Sequence, residues 1–233
     1  MKRAGLLLYL GVLLFTLTLS FSLTSFAADD RDRDSVVDVN RDASKPTKKI
    51  ALTFDDGPNR EATPRILKIL EKYDVKATFF VVGWRVYNFR DLILNMVQNG
   101  HEIGNHSYDH PYLNKLKDDE IKKQLQMTNT AIEKVAGIKV TLYRPPYASY
   151  DDRVLSIGSD LSMELALWTI NPEDWRSPGK EIIISRILRD AQDGSIVLLH
   201  DKTQTAEALP TLIESLKEQG FELVTVSELL KTP

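Results

Sequence analysis

The sequence predicts an α/β domain in which a parallel sheet is covered by helices. Three observations carry that expectation. From Ile50 onward, short apolar runs rich in branched and aromatic residues alternate with longer segments of helical period. The runs are almost continuously apolar, as strands buried on both faces must be. Glycines at 100, 137, 194 and 220 stand where a helix should stop, the place at which a left-handed C-terminal cap is favoured. These features admit both a closed barrel and an open, doubly wound sheet. In either architecture the chemistry gathers at the carboxyl ends of the strands.

In chain order, seven segments read as strands: residues 50–55, 77–82, 101–106, 142–145, 164–170, 195–200 and 221–226. The helices between them show their buried faces by period. Phe89, Leu92, Ile93, Met96 and Val97 make one such face, and Ile121, Leu125, Thr128, Ile132 and Val135 a second. Leu209, Leu212, Ile213 and Leu216 make a third.

The start of the chain has another character. Lys2 and Arg3 precede an apolar run over residues 6–26, and Asp29 and Asp30 follow it, which is the pattern of an export signal. Ser25, Phe26 and Ala27 fit a small-x-small cleavage site with the cut after Ala27, while the length of the run also suits an uncleaved membrane anchor. Residues 28–47 are rich in Asp, Arg, Ser and Lys, with too few large apolar side chains to offset the entropy of ordering. The expected organisation is a signal peptide or anchor over 1–27, a flexible charged spacer over 28–47 and one folded domain over 48–233. That places the domain in the cell envelope, secreted or held at the outer face of the membrane, with membrane contact only through an uncleaved N-terminal segment.

Composition narrows the function classes. With 233 residues of which 42% are hydrophobic, the chain can bury one full core, so a single folded domain is expected. Length and composition do not bear on oligomeric state, for which a monomer is the default expectation. A formal net charge of -3 gives no basic footprint for nucleic acid. Cysteine is absent, which excludes disulfides, thiolate ligands and a cysteine nucleophile, so any metal must sit on His, Asp or Glu.

Unusual polar residues cluster at the predicted strand ends. Asp55 and Asp56 end the first strand, and because neighbouring strand side chains point to opposite faces, both can serve one site only where the strand gives way to a turn. Gly57 and Pro58 supply that turn. His106 and His110 are four apart, a spacing that puts both imidazoles on one face of a helical turn. With Asp56 as a carboxylate they suit a catalytic Zn²⁺ or similar divalent ion, leaving positions for water and substrate. His200 closes the apolar run 196–199 and is a candidate general acid. Arg144 lies in a stretch that two following prolines hold extended, where it suits a surface ion pair or a site role alike, and Trp175, beside Asp174, is either plain core or an aromatic platform for a sugar face. His101 opens its strand, away from the reactive end, and reads as structural.

Five motifs in order then carry a resemblance: Thr53-Phe54-Asp55-Asp56-Gly57-Pro58, His106-Ser107-Tyr108-Asp109-His110, Arg144-Pro145-Pro146-Tyr147, Asp174-Trp175 and Leu198-Leu199-His200. Over about residues 48–231 the sequence resembles the NodB-homology polysaccharide deacetylases of carbohydrate esterase family 4. The resemblance implies a distorted (β/α) barrel of seven parallel strands with its active site at the C-terminal rim. It also implies a metal triad of Asp56, His106 and His110, with Zn²⁺ favoured and Co²⁺ or another divalent ion as alternatives. Asp55 would be the general base, oriented by Arg144, and His200 the general acid, tuned by Asp174. Pro145, Tyr147, Trp175 and Leu198 would bind substrate, the Tyr147 main-chain N–H holding the oxyanion. The implied reaction removes acetyl groups from N-acetylated amino sugars, with peptidoglycan as the leading substrate and chitooligosaccharide or poly-N-acetylglucosamine as alternatives. An inactive glycan-binding protein on the same scaffold is the reading from another class. Asn171, where the family often has an acid, and Ala148, where it often has Gly, depart from the pattern.

Overall fold

A computed structural model describes residues 48–231 of the chain. The predicted signal or anchor and the spacer lie outside the described residues, as do the last two residues. The described chain runs β1 (Lys48–Asp55), α1 (Thr63–Lys72), β2 (Thr78–Val81), α2 (Gly83–Asn88), α3 (Arg90–Gln98), β3 (Glu102–Asn105), α4 (Asp118–Ala136), β4 (Leu142–Tyr143) and α5 (Asp152–Asp160). It continues with β5 (Glu164–Leu165), α6 (Lys180–Asp190), β6 (Ser195–His200), α7 (Thr203–Glu218), β7 (Phe221–Val224) and α8 (Val226–Leu230).

All strand pairs are parallel, in the order β5-β4-β3-β2-β1-β6. The ring closes where the chain after β5 swings across to β6. Ile170 forms an isolated parallel bridge with Val197, and the Leu198 N–H donates to the Ile170 carbonyl at 2.9 Å. Among the described residues seven parallel strands are present as expected, but the seventh is not a stave of the rim. β6 pairs with β1 over Ile50 to Asp55, so β7, which pairs with Lys48 to Ala51, must use the other edge of β1, below β2. The distorted barrel therefore has six staves at the C-terminal end of its strands.

Side-chain parity separates two cores. In β1, Ile50, Leu52 and Phe54 point outward into the large layer between strands and helices, while Ala51 belongs to a small inner cluster with Phe80, Leu142, Ala166 and Val224. Thr53 and Asp55 share the parity of Ala51 and so point inward. The inner space is tight. A Cβ on Gly104 would lie 2.4 Å from the Phe80 ring, so only glycine fits there. Among the helices, α4 buries Ile121, Leu125, Ile132 and Val135 against the sheet, each such side chain contributing about 1.5–3 kcal/mol. It ends at Gly137, whose φ of 69° is the left-handed cap that the sequence predicts.

Candidate active site

The inward parity that places Ala51 also places Asp55, His106, Arg144 and His200, each at or just past the C-terminal end of its strand. In register, Asp55 lies opposite His200 on β6 and Phe80 on β2. Asp56 should point away, and it does not, because β1 stops at Asp55 and Asp56 takes a left-handed φ of 72°. That turn swings its carboxylate back over the rim. The local strain of a non-glycine residue in this region is of the kind found at functional sites.

The histidine pair is assembled in a way the spacing does not predict. Residues 106–112 form no helix; Ser107 and His110 adopt left-handed φ values of 62°, and the Ser107 N–H is held by the Asn105 side chain at 2.8 Å. The loop still brings the two rings together, with centroids 4.9 Å apart. Asp56 Oδ1 lies 3.0 Å from His110 Nε2 and 3.4 Å from His106 Nε2.

The chemistry of this donor set fits a divalent cation. One ligand atom each from Asp56, His106 and His110 lies within 4.8 Å of the others. Asp56 Oδ1 is buried, and among the described residues no hydrogen bond of good geometry reaches it although both imidazole Nε2 atoms lie close, so a positive ion held between the three groups would satisfy it. Burial pushes the Asp56 carboxyl up, but hydrogen bonds and charge from the two imidazoles, when these are protonated at Nε2, outweigh it and hold the group well below the usual carboxylate range, the same pull that a cation would exert in their place. His106 Nδ1 sits 2.7 Å from the Arg144 carbonyl, an acceptor that fixes the proton on Nδ1 and turns the Nε2 lone pair toward Asp56.

Two buried pairs flank the triad. Arg144 is fully buried, its guanidinium 4.0 Å from the Phe80 ring centroid. Its Nη1 donates to Asp55 Oδ1 at 2.8 Å and to Thr53 Oγ1 at 2.7 Å, while Nε and Nη2 donate to the carbonyls of Ala166 and Leu167. On the other side, Asp174 is also fully buried and meets His200 Nδ1 at 2.7 Å, the His200 main-chain N–H at 2.7 Å and Thr205 Oγ1 at 2.6 Å. Burial alone would lower the His200 pKa, but Asp174 outweighs it, with smaller help from Asp55 and Asp56, so the imidazole titrates above its ordinary value.

These groups open on one cavity of about 490 Å³, which Pro145, Tyr147, Trp175 and Leu198 also line. Every predicted site residue thus lies on this cavity or is bonded to a residue that does. Trp168, Asn171 and Lys202 line it as well. Trp168 sits in an apolar run and Lys202 among loop polar residues, so neither carried a signal; Asn171 showed only as a departure from the family pattern. Its Oδ1 caps the turn into Asp174 by accepting from the Glu173 N–H at 2.9 Å. Ala148 has a φ of 51°, which explains the family's glycine there. His101 lies at the far end, buried and held neutral by burial and Lys76, with a pKa of about 4.

Comparison with known proteins gives a consistent picture. The polysaccharide deacetylase family profile matches residues 42–166. The chain is 43% identical over 198 residues to the peptidoglycan-N-acetylmuramic acid deacetylase PdaC of Bacillus subtilis, covering 84% of this chain and 40% of that protein. It is 38% identical over 190 residues to a peptidoglycan-N-acetylglucosamine deacetylase of Bacillus cereus, covering 79% of this chain and 89% of the relative. The solved structure of BA3943, described as a pseudoenzyme of carbohydrate esterase family 4 from Bacillus anthracis, superposes with a TM-score of 0.77 at 41% identity, over 79% of this chain and 66% of that one. A mutant of BA3943 is described as having restored enzymatic activity. The chain spans about 40% of the length of PdaC, so the likeness concerns one domain of that protein. On the strength of the family match and of the strand-end residues it shares in order, this chain belongs to the polysaccharide deacetylase family.

Proposed function

We propose that the protein is a metal-dependent N-deacetylase acting outside the cytoplasmic membrane on N-acetylated amino sugars of peptidoglycan. The observation that carries the reading is the placement of two buried, charge-paired groups, Asp55 with Arg144 and His200 with Asp174, on one cavity beside the Asp56–His106–His110 cluster. Two buried charge pairs on one cavity cost desolvation that binding a neutral glycan does not require, which favours an enzyme over a glycan-binding protein. The names of the relatives support peptidoglycan as the substrate class, and the apolar run after Lys2 and Arg3 supports export.

Asp56, His106 and His110 would hold the divalent ion, with Zn²⁺ favoured by two imidazoles and one carboxylate. When bound, the ion supplies Lewis-acid polarisation of the acetamide carbonyl and of water. Asp55, anchored by Arg144, takes a proton from the attacking water as its oxygen bonds to the carbonyl carbon. The main-chain N–H of Tyr147 donates to the oxyanion that develops there. His200 has Nδ1 occupied by Asp174, which leaves Nε2 to deliver a proton to the departing amine as the C–N bond breaks. Acetate and a free amino sugar result. Trp175 and Leu198 shape the wall against which the acetyl methyl packs.

The test is acetate release by the full chain from peptidoglycan, chitin oligomers and poly-N-acetylglucosamine, with and without a chelator. Release from peptidoglycan that chelation abolishes and Zn²⁺ restores is the expected result. No acetate from any of the three, or release indifferent to chelation, would sink the reading.

A further inference from the structure

The two imidazoles of the cluster are held from behind in different ways. His106 Nδ1 meets the Arg144 main-chain carbonyl inside the barrel, where both residues are buried, and no side-chain substitution at 144 removes that acceptor. His110 Nδ1 instead meets the phenol oxygen of Tyr147 at 3.2 Å. A histidine that gives its Nε2 lone pair to a cation carries its proton on Nδ1, and that N–H needs an acceptor to fix the ring.

Tyr147 is placed for this at a conformational cost. It is 57% exposed and has a left-handed φ of 59°, which a bulky side chain adopts only where its surroundings hold it. Its ring stacks on that of Tyr112, with centroids 4.1 Å apart and planes 15° from parallel, and meets the His110 ring edge-on at 4.8 Å. Tyr112 is itself exposed, but the next residue in the chain, Leu113, is fully buried and anchors the main chain there.

We propose that the Tyr147 hydroxyl is the acceptor that orients His110 toward the cation, and that Tyr112 holds it there by stacking. Tyr147 is then a positioning residue for the metal through its side chain, apart from anything its main-chain N–H does for substrate. One arm of the ligand set is fixed by the barrel interior and the other by a pair of surface tyrosines. The inference rests on the cation site in the proposed function, but its readout is cation binding and not turnover.

The experiment measures the Zn²⁺ dissociation constant of the full chain by competition with a chromogenic chelator. Tyr147→Phe keeps the ring, the stack and the main-chain N–H and removes only the acceptor. Its affinity should fall by about 10–100-fold, the usual range for loss of an outer partner of a metal-bound histidine. Tyr112→Ala should weaken binding in the same direction by a smaller factor. Tyr150→Phe, on another exposed tyrosine of the same segment, should leave the constant unchanged, and thermal unfolding of each metal-free variant checks the fold. Tyr147→Phe with the wild-type constant overturns the proposal, as does equal weakening by Tyr150→Phe. A wild-type chain that binds no Zn²⁺ sinks the cation site itself. Absence of acetate release from every glycan would count against the deacetylase reading and leave this result standing.

Discussion

Arg144 serves both halves of the candidate site at once: its Nη1 donates to Asp55 Oδ1 at 2.8 Å, and its main-chain carbonyl meets His106 Nδ1 at 2.7 Å. The side chain and the main chain of one residue thus position the proposed base and a proposed ligand. Arg144→Met separates the two functions. It keeps most of the volume but leaves the Asp55 carboxylate buried without its partner, a change that costs about 3–5 kcal/mol in comparable cases. Denaturant unfolding should show a loss of that order. Acetate release should fall at least about 100-fold, since a base displaced by an ångström already costs that much. Zn²⁺ affinity should stay close to wild type if the chain still folds, because the carbonyl remains. Stability within about 1 kcal/mol of wild type would show that the pair is not the anchor described here.

Asp55→Asn tests the base alone. The amide retains the shape and can still accept from Arg144, but it cannot take a proton from water at neutral pH. Turnover should fall by roughly 10²–10⁴-fold, the usual range for a general base, while chelator competition shows Zn²⁺ still bound. An Asp55→Asn chain with full rate assigns the proton transfer elsewhere.

Asp174 and His200 set a pH dependence whose sign follows from the structure. The His200 pKa is raised, and the proposed acid must be protonated, so its contribution is present at low pH and lost as pH rises through that raised value. Replacing Asp174 by Asn removes the main influence that raises it, while burial, which lowers it, remains. The basic limb of the pH–rate profile should therefore move to lower pH in Asp174→Asn. A profile with an unmoved basic limb would separate His200 from the acid role.

Much of this was legible from local pattern, and the parts that were not have a common cause. Apolar runs fixed the position of all seven strands, and the strand-end residues Asp55, His106, Arg144 and His200 share one inward parity that period-2 alternation predicts. What the pattern cannot encode is where irregular backbone goes. The spacing of His106 and His110 suggested a helical turn, yet left-handed residues at 107 and 110 do the work. Likewise, the run over residues 164–170 reads as one strand, but only Glu164–Leu165 pairs with β4 before the chain crosses to β6. Trp168, Lys202 and Tyr112 reach the site through such crossings and loops, and nothing in their own neighbourhoods marks them.

His101 gives a test of the fold that does not touch the reactive rim. It is buried at the opposite end of β3, and its Nδ1 accepts from the Ala77 N–H at 3.2 Å while Nε2 has no hydrogen-bond partner among the described residues. Burial, aided by Lys76, lowers its pKa from 6.5 to about 4. The imidazole is thus neutral in the folded chain over a range where the unfolded chain takes up a proton. Its contribution to stability is complete above about pH 6.5 and is lost as pH falls toward 4, a change on the order of 2–3 kcal/mol. His101→Asn keeps an acceptor near the Ala77 N–H and removes the titrating group. Denaturant unfolding of both proteins at about pH 7 and about pH 4.5 isolates the effect, because the difference between the two pH values is compared and any packing defect of the variant cancels. Wild type should lose about 2 kcal/mol more than His101→Asn across that interval. Equal losses in the two proteins would mean that His101 is charged, or solvated, in the folded state.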